Sequence, residues 1–168
     1  MGYDHILLNY NSFDDPTKAG KALEIIEVAK EIGVKVHAWM QVFCENKVWI
    51  NPIEDIGFGE GRYKQEEFDR IIAKANRYID DFDVDGLHLD YIRFSGSGKN
   101  MAANNNYNNG VTASGAINEF CRQLRESLDS RPEGVLVSAA MMTGGDVLHY
   151  YGQDPEQMGK YIDVFMPM

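Results

Sequence analysis

The strict alternation of short apolar runs with amphipathic helical stripes restricts the fold of this chain more than any other feature. Residues 6–9 form an apolar run. Asp15-Pro16 then supplies a helix cap and a first-turn proline ahead of Ala22, Leu23, Ile26 and Ala29 at helical spacing. Gly33 ends that helix, and residues 34–40 read as the next strand. A long connection through Trp49 and Gly57-Phe58-Gly59 leads to a helix with Phe68, Ile71, Ile72, Ala75, Tyr78 and Ile79 on one stripe. A strand ending at Asp90 follows, then a polar loop and a third helix marked by Ile117, Phe120, Cys121, Leu124 and Leu128. Residues 135–141 read as a strand, Asp154-Pro155 caps a short helix, and residues 164–166 read as a last strand. The order βαβαβαβαβ implies an α/β fold with parallel strands and right-handed crossovers, either a TIM-type (β/α) barrel or an open doubly wound sheet. The first strand-to-helix connection lacks a Gly-x-Gly-x-x-Gly or phosphate-loop pattern, which favours the barrel. About five such units do not close an eight-stranded barrel, so the expectation is a partial barrel, an excerpt of a longer one.

Composition narrows the partners. With 168 residues, 44% of them hydrophobic and 11% aromatic, residues 1–168 read as one globular domain. A formal net charge of -10 speaks against nucleic acid and anionic membrane, both of which reward clustered Lys and Arg, and suits a neutral or cationic ligand. No apolar run approaches the roughly 18 residues of a membrane span. Residues 1–10 lack the basic and apolar regions of a signal peptide, so the chain shows no address of its own. Cys44, in a predicted loop, and Cys121, on the apolar side of a predicted helix, have no metal-type spacing and read as unpaired.

The chemistry concentrates in residues 83–94. Side chains alternate faces along a strand, so Leu87 and Leu89 point one way while His88 and Asp90 point the other, with Asp90 near the carboxyl end. Ligand chemistry in parallel α/β folds sits at that end. The same alternation recurs in residues 34–41, where Val34, Val36, Ala38 and Met40 form an apolar face and His37, Trp39 and Gln41 a functionalised one.

Several segments together resemble the glycoside-hydrolase-like TIM-barrel families. They are Val36-His37-Ala38-Trp39, Trp49-Ile50-Asn51-Pro52, Asp85-Gly86-Leu87-His88-Leu89-Asp90-Tyr91-Ile92-Arg93-Phe94, Tyr150-Tyr151-Gly152-Gln153-Asp154 and Val164-Phe165-Met166-Pro167-Met168. The Asp-Gly-x-His-x-Asp-Tyr-x-Arg-Phe stretch is the most specific of them. The resemblance covers nearly the whole chain and places it on barrel strands two to six. It implies hydrolysis of a polysaccharide, such as a cell-wall or extracellular glycan, by a parent protein that is secreted or held at the cell surface. It also casts Asp90 as general acid or nucleophile. Glycoside hydrolysis ordinarily uses two carboxylates, about 5 Å apart for retention or about 6.5–9.5 Å for inversion. Asp146, Asp55 and Glu60 are the loop candidates for the second.

Around Asp90, His88 is expected to orient the site by hydrogen bonding. Arg93 either holds a substrate oxygen, orients Asp90, or pairs with it structurally. Trp39 offers a flat apolar surface for a sugar ring or else packs in the core, Gln41 and Asn9 are placed to bond hydroxyls, and His37 on the same strand face is a further substrate-binding candidate. Trp49 and Tyr91 are further aromatic surfaces. The loop over residues 99–110 holds six asparagines and Tyr107, donors and acceptors without charge. No redox cofactor or metal is required. Two rival readings remain. One is a metal-dependent hydrolase using His37, His88 and Asp90; the other is a non-catalytic carbohydrate-binding barrel. Open strand edges in a partial barrel are expected to promote self-association.

Overall fold

The computed structural model describes residues 3–96, 107–131, 134–143 and 150–168. Its centre is a five-stranded sheet in the order β1 (His5–Asn9), β2 (Lys35–Gln41), β7 (Gly86–Asp90), β8 (Leu136–Met141), β9 (Val164–Pro167), with each neighbouring pair parallel. The crossovers carry helices α2 (Pro16–Glu31), α3 (Gln65–Phe82) and α4 (Ala113–Leu128), and a short helix, Pro155–Met158, precedes β9. This is the expected α/β arrangement of a partial barrel. Strand and helix positions follow the sequence reading to within a residue or two at most ends.

Three helix starts follow from their caps. Asp15 accepts from the Thr17 amide ahead of Pro16, Thr112 accepts from the Gly115 amide, and Asp154 accepts from the Gln157 amide ahead of Pro155. The helical stripes pack on one sheet face. Ala22, Ile26 and Ala29 of α2, Phe68, Ile71 and Ala75 of α3, and Ile117, Phe120 and Leu124 of α4 share one core with Val36, Ala38, Met40, Leu87, Leu89, Val137 and Ala139 of the strands. Leu23, expected on the α2 stripe, is exposed.

Two acidic residues just ahead of strands set the register. The Asp85 carboxylate accepts the Val36 amide at 2.8 Å and the Lys35 ammonium at 2.7 Å, which fixes β7 against β2. Asp163 repeats the device between β9 and β8, accepting the Val137 amide at 2.8 Å and Arg125 at 2.6 Å. Burial opposes ionisation of Asp85, but Lys35 and the Val36 amide hold its carboxyl below the usual carboxylate range.

The long connection after β2 is not a plain loop. It contains a short hairpin, β3 (Cys44–Glu45) with β4 (Val48–Trp49), and a longer one, β5 (Ile53–Gly57) with β6 (Glu60–Tyr63). Cys44 therefore lies on a strand rather than in a loop; both cysteines are buried and free. Asn46 and Lys47 turn the first hairpin with φ of 51° and 68°, the left-handed geometry of a two-residue turn. A further short helix, α1 (Asn11–Asp14), follows β1. Lys74 of α3 joins Asp14 of α1 at 2.7 Å to Glu45 of β3 at 3.2 Å, so these additions are tied to the body of the fold. Among the described residues no helix is long and apolar enough to cross a membrane.

Candidate active site

With the helices on one face, the other face of the sheet carries its polar residues in rows. Parallel register aligns Asn9 with Trp39 and Trp39 with His88, and aligns His88 with Ser138. The next row toward the carboxyl ends aligns Gln41 with Asp90. Among the described strand residues on this face, Asp90 is the one carboxylate.

Asp90 is half-buried and held at both oxygens. The Trp39 indole Nε1 donates to Oδ2 at 3.0 Å, and the backbone amide of Tyr91 donates to Oδ1 at 2.8 Å. That second bond depends on a rare backbone state, since Tyr91 has φ 54°, in the left-handed region that non-glycine residues avoid. The carbonyls of Asp90 and Tyr91 accept from Val42 at 2.9 Å and Phe43 at 3.1 Å, which fastens the strained turn to the segment leaving β2.

His88 lies one row below. Its Nδ1 is 2.9 Å from the Ser138 hydroxyl, which donates onward to the Leu87 carbonyl at 3.3 Å. Ser138 therefore accepts from His88, and the ring proton of the neutral imidazole sits on Nδ1. Burial lowers the His88 pKa below its ordinary 6.5, with the Asp90 charge opposing. His88 bonds to Ser138 rather than to Asp90, so any influence it has on Asp90 is through the field and not through a hydrogen bond.

Arg93 does not pair with Asp90. Its guanidinium carbon lies over the rings of Trp49 at 4.8 Å, Tyr151 at 5.1 Å and Tyr91 at 5.7 Å, and Nη1 donates to the Phe94 carbonyl at 3.0 Å. Trp49 and Tyr91 meet edge to face at 5.6 Å. Trp49, Tyr91 and Arg93 are thus brought together at the end of β7. Gln41 accepts the Asn46 amide at 3.3 Å, tying the first hairpin to the site, and Asn9 accepts the Asn11 amide at 3.1 Å at the start of α1.

Two expected binding residues are elsewhere. His37 sits in the amino-terminal half of β2, four residues before Gln41, or about 13 Å at about 3.3 Å per residue. It is buried against Gly86, with its Nε2 2.8 Å from His5 Nδ1. Tyr107 is buried beneath Gly61 of β6, where a Cβ would stand 2.6 Å from its ring, and the neighbouring Asn108 and Asn109 bond the hairpin backbone. Its aromatic surface is used up in packing. Asp55 and Glu60 are exposed on the second hairpin, and Asp55 accepts the Gly57 amide at 2.8 Å within its own turn. Asp146 and the asparagines at 100, 104, 105 and 106 lie outside the described residues. Because His37 is paired with His5 and His88 with Ser138, the histidines do not converge with Asp90. Among the described residues no three His, Cys, Asp or Glu side chains come together as a metal-binding set.

The sequence reading gave no role to three residues that shape the site: Ser138, Tyr151 and Gln153. Gln153 is fully buried. It accepts from the Met142 amide at 3.0 Å and donates to the carbonyls of Ile92 at 3.2 Å and Ala140 at 3.0 Å, clamping the ends of β7 and β8 together. Ser138 was within reach of the alternation argument, as it occupies the polar face of residues 135–141. Tyr151 and Gln153 lie in an irregular segment with no periodic signal.

A family model described as "Putative glycosyl hydrolase domain" matches residues 44–168. No curated protein sequence matches the chain. Solved structures similar to it include the "putative sporulation-specific glycosylase ydhD from Bacillus subtilis", with TM-score 0.62 at 14% identity, covering 100% of this chain and 50% of that one. A chitinase from Chromobacterium violaceum aligns with TM-score 0.60 at 13% identity, covering 98% and 48%. The Ostrinia furnacalis Group IV chitinase, solved with allosamidin, aligns with TM-score 0.62 at 15% identity, covering 98% and 42%. At such identities the likeness is one of fold, and the chain spans about half the length of these structures.

Proposed function

The chain belongs to the family described as "Putative glycosyl hydrolase domain", and from that premise we propose that it supplies the Asp90-centred half of a polysaccharide-cleaving site. The observation that carries this reading is the way Asp90 is held. A half-buried carboxylate at the carboxyl end of a barrel strand is gripped by an indole N–H and by a strained backbone amide. A carboxylate whose oxygens both accept hydrogen bonds is suited to attack the anomeric carbon or to stabilise positive charge developing there. Protonation of the leaving oxygen then falls to a second carboxyl group from outside the described strands. Trp39 positions Asp90, while Trp49 and Tyr91 present ring surface to the apolar face of a sugar. Asn9 and Gln41 border the same end of the sheet as donors to hydroxyls.

That Asp90 is the sole carboxylate on the described strand face favours one second reading, a carbohydrate-binding barrel without turnover. Binding and turnover separate the two. We expect the chain to be retarded in gels containing a cleavable polysaccharide and to release reducing ends from it. Asp90→Asn should keep the retardation and lose the release by about 100-fold or more, the scale of a single acid–base or nucleophilic group. Retardation without release by the parent chain would assign the binding-only reading.

A further inference from the structure

Arginine pairing in this chain has one exception among the described residues. Arg62 bridges Glu54, Arg70 bridges Glu45 and Glu67, and Arg77 bridges Asp14; Arg122 bridges Glu119 and Glu126, Arg125 bridges Asp163, and Arg131 bridges Asp80. Arg93 has no carboxylate partner among them. Its guanidinium lies instead against the rings of Trp49, Tyr91 and Tyr151, and its buried Nε has no hydrogen-bond partner. The sequence has 26 acidic against 16 basic residues, yet among the described residues no acid pairs with Arg93. Aromatic rings stabilise the cation through its faces and leave its in-plane N–H groups to other partners, of which Nη1 already has the Phe94 carbonyl at 3.0 Å. An arginine stays charged in such surroundings, and the group that best matches its remaining fork is a planar carboxylate.

We propose that Arg93 is a specificity residue that binds the carboxylate of an acidic sugar within an otherwise neutral glycan, in the subsite beside Asp90. The inference rests on the hydrolase reading above for its ligand class, a glycan. Tyr91 joins the two, its amide bonding Asp90 at 2.8 Å and its ring lying 5.7 Å from the Arg93 guanidinium, so the acidic sugar is a neighbour of the one being cleaved. A uniformly anionic polymer is the poorer ligand, because the net charge of -10 repels it as a whole. A single carboxylate is different, since charges beyond about 8–10 Å are largely screened at physiological ionic strength.

The test is titration of the chain with glucuronate and galacturonate, each beside its methyl ester and its neutral parent sugar, followed by the ¹H–¹⁵N resonances of arginine Nε–H groups. The Arg93 signal, assigned as the one missing from Arg93→Lys, should shift saturably with the uronates. Esters and neutral sugars should bind at least tenfold more weakly. Arg93→Met should abolish the preference, and Arg93→Lys, which keeps the charge and serves as the folding control by circular dichroism, should retain weakened binding. Esters binding as well as uronates, an unmoved Arg93 signal, or a preference that survives in Arg93→Met would each overturn the proposal. Glucose 6-sulfate binding as tightly as glucuronate would overturn the carboxylate assignment. The two readings fail separately. Polysaccharide hydrolysis that needs Asp90 but shows no uronate preference removes this inference alone, and uronate binding through Arg93 without any hydrolysis removes the hydrolase reading alone.

Discussion

Tyr91 links the features of the site at the scale of one residue. Its left-handed backbone aims an amide at Asp90, and its ring completes the wall shared by Trp49 and Arg93. A bulky residue in that state costs on the order of 1–3 kcal/mol, which persists only where surrounding bonds enforce it. Here the bonds from Val42 and Phe43 do so. Trp39 holds the opposite oxygen of Asp90 with a hydrogen bond to a charged group, an interaction of about 1.5–3 kcal/mol. Trp39→Phe keeps most of the ring and removes the donor. If Asp90 works in the transition state, kcat should fall about tenfold or more while KM and the circular dichroism spectrum stay near those of the parent. Unchanged kcat would show that the indole bond has no catalytic consequence.

At the scale of elements, β7 is the strand on which the site depends, and Gly86 opens it. A Cβ at Gly86 would stand 2.3 Å from His37 Nδ1 and 2.5 Å from the Leu136 carbonyl, so glycine is what lets β2, β7 and β8 close up around the buried histidine. Gly86→Ala should destabilise the fold by about 1–3 kcal/mol, read from urea denaturation. Adding His37→Ala should restore only part of the loss, because the Leu136 backbone remains in the way; full restoration would contradict this packing. The three central strands were legible in the sequence because they bury one face completely, as Val36, Ala38 and Met40 or Leu87 and Leu89 do. The hairpins were not. β3 and β4 are two residues each, too short for an alternation signal, and their turn uses Asn46-Lys47 rather than a glycine pair. Asp90 was legible from its position at a strand end. What hid the rest was register: whether Arg93 meets an acid or three rings, or whether His88 meets Asp90 or Ser138, depends on which strands and loops come together, and no single segment records it.

At the scale of the molecule, stability carries a pH signature from its two buried histidines. Burial first, and then neighbouring His5, lowers the pKa of His37 below the ordinary 6.5, and burial likewise lowers that of His88. The folded state therefore prefers the neutral rings. Their contribution is complete above pH 6.5, and it is lost as pH falls from there through the lowered folded-state values, because the unfolded chain takes up the protons first. Melting temperature should thus decline from about pH 7 to pH 5, above the range where Asp85 and Glu119 titrate, and His88→Gln should flatten part of that decline. A flat profile in the parent would contradict the burial of neutral histidines. β1 and β9 each lack a second strand partner among the described residues, and Leu7, Val164 and Met166 are exposed on the polar face. Sedimentation velocity should accordingly show association that grows with concentration. The central claim, that Asp90 is the working carboxylate of a polysaccharide-cleaving site, is tested most directly by the initial rate of reducing-end release from a panel of cell-wall and extracellular polysaccharides. The account predicts a graded series on at least one of them: parent fastest, Trp39→Phe about tenfold slower, Asp90→Asn about 100-fold slower or more. Release by Asp90→Asn at the parent rate would contradict it.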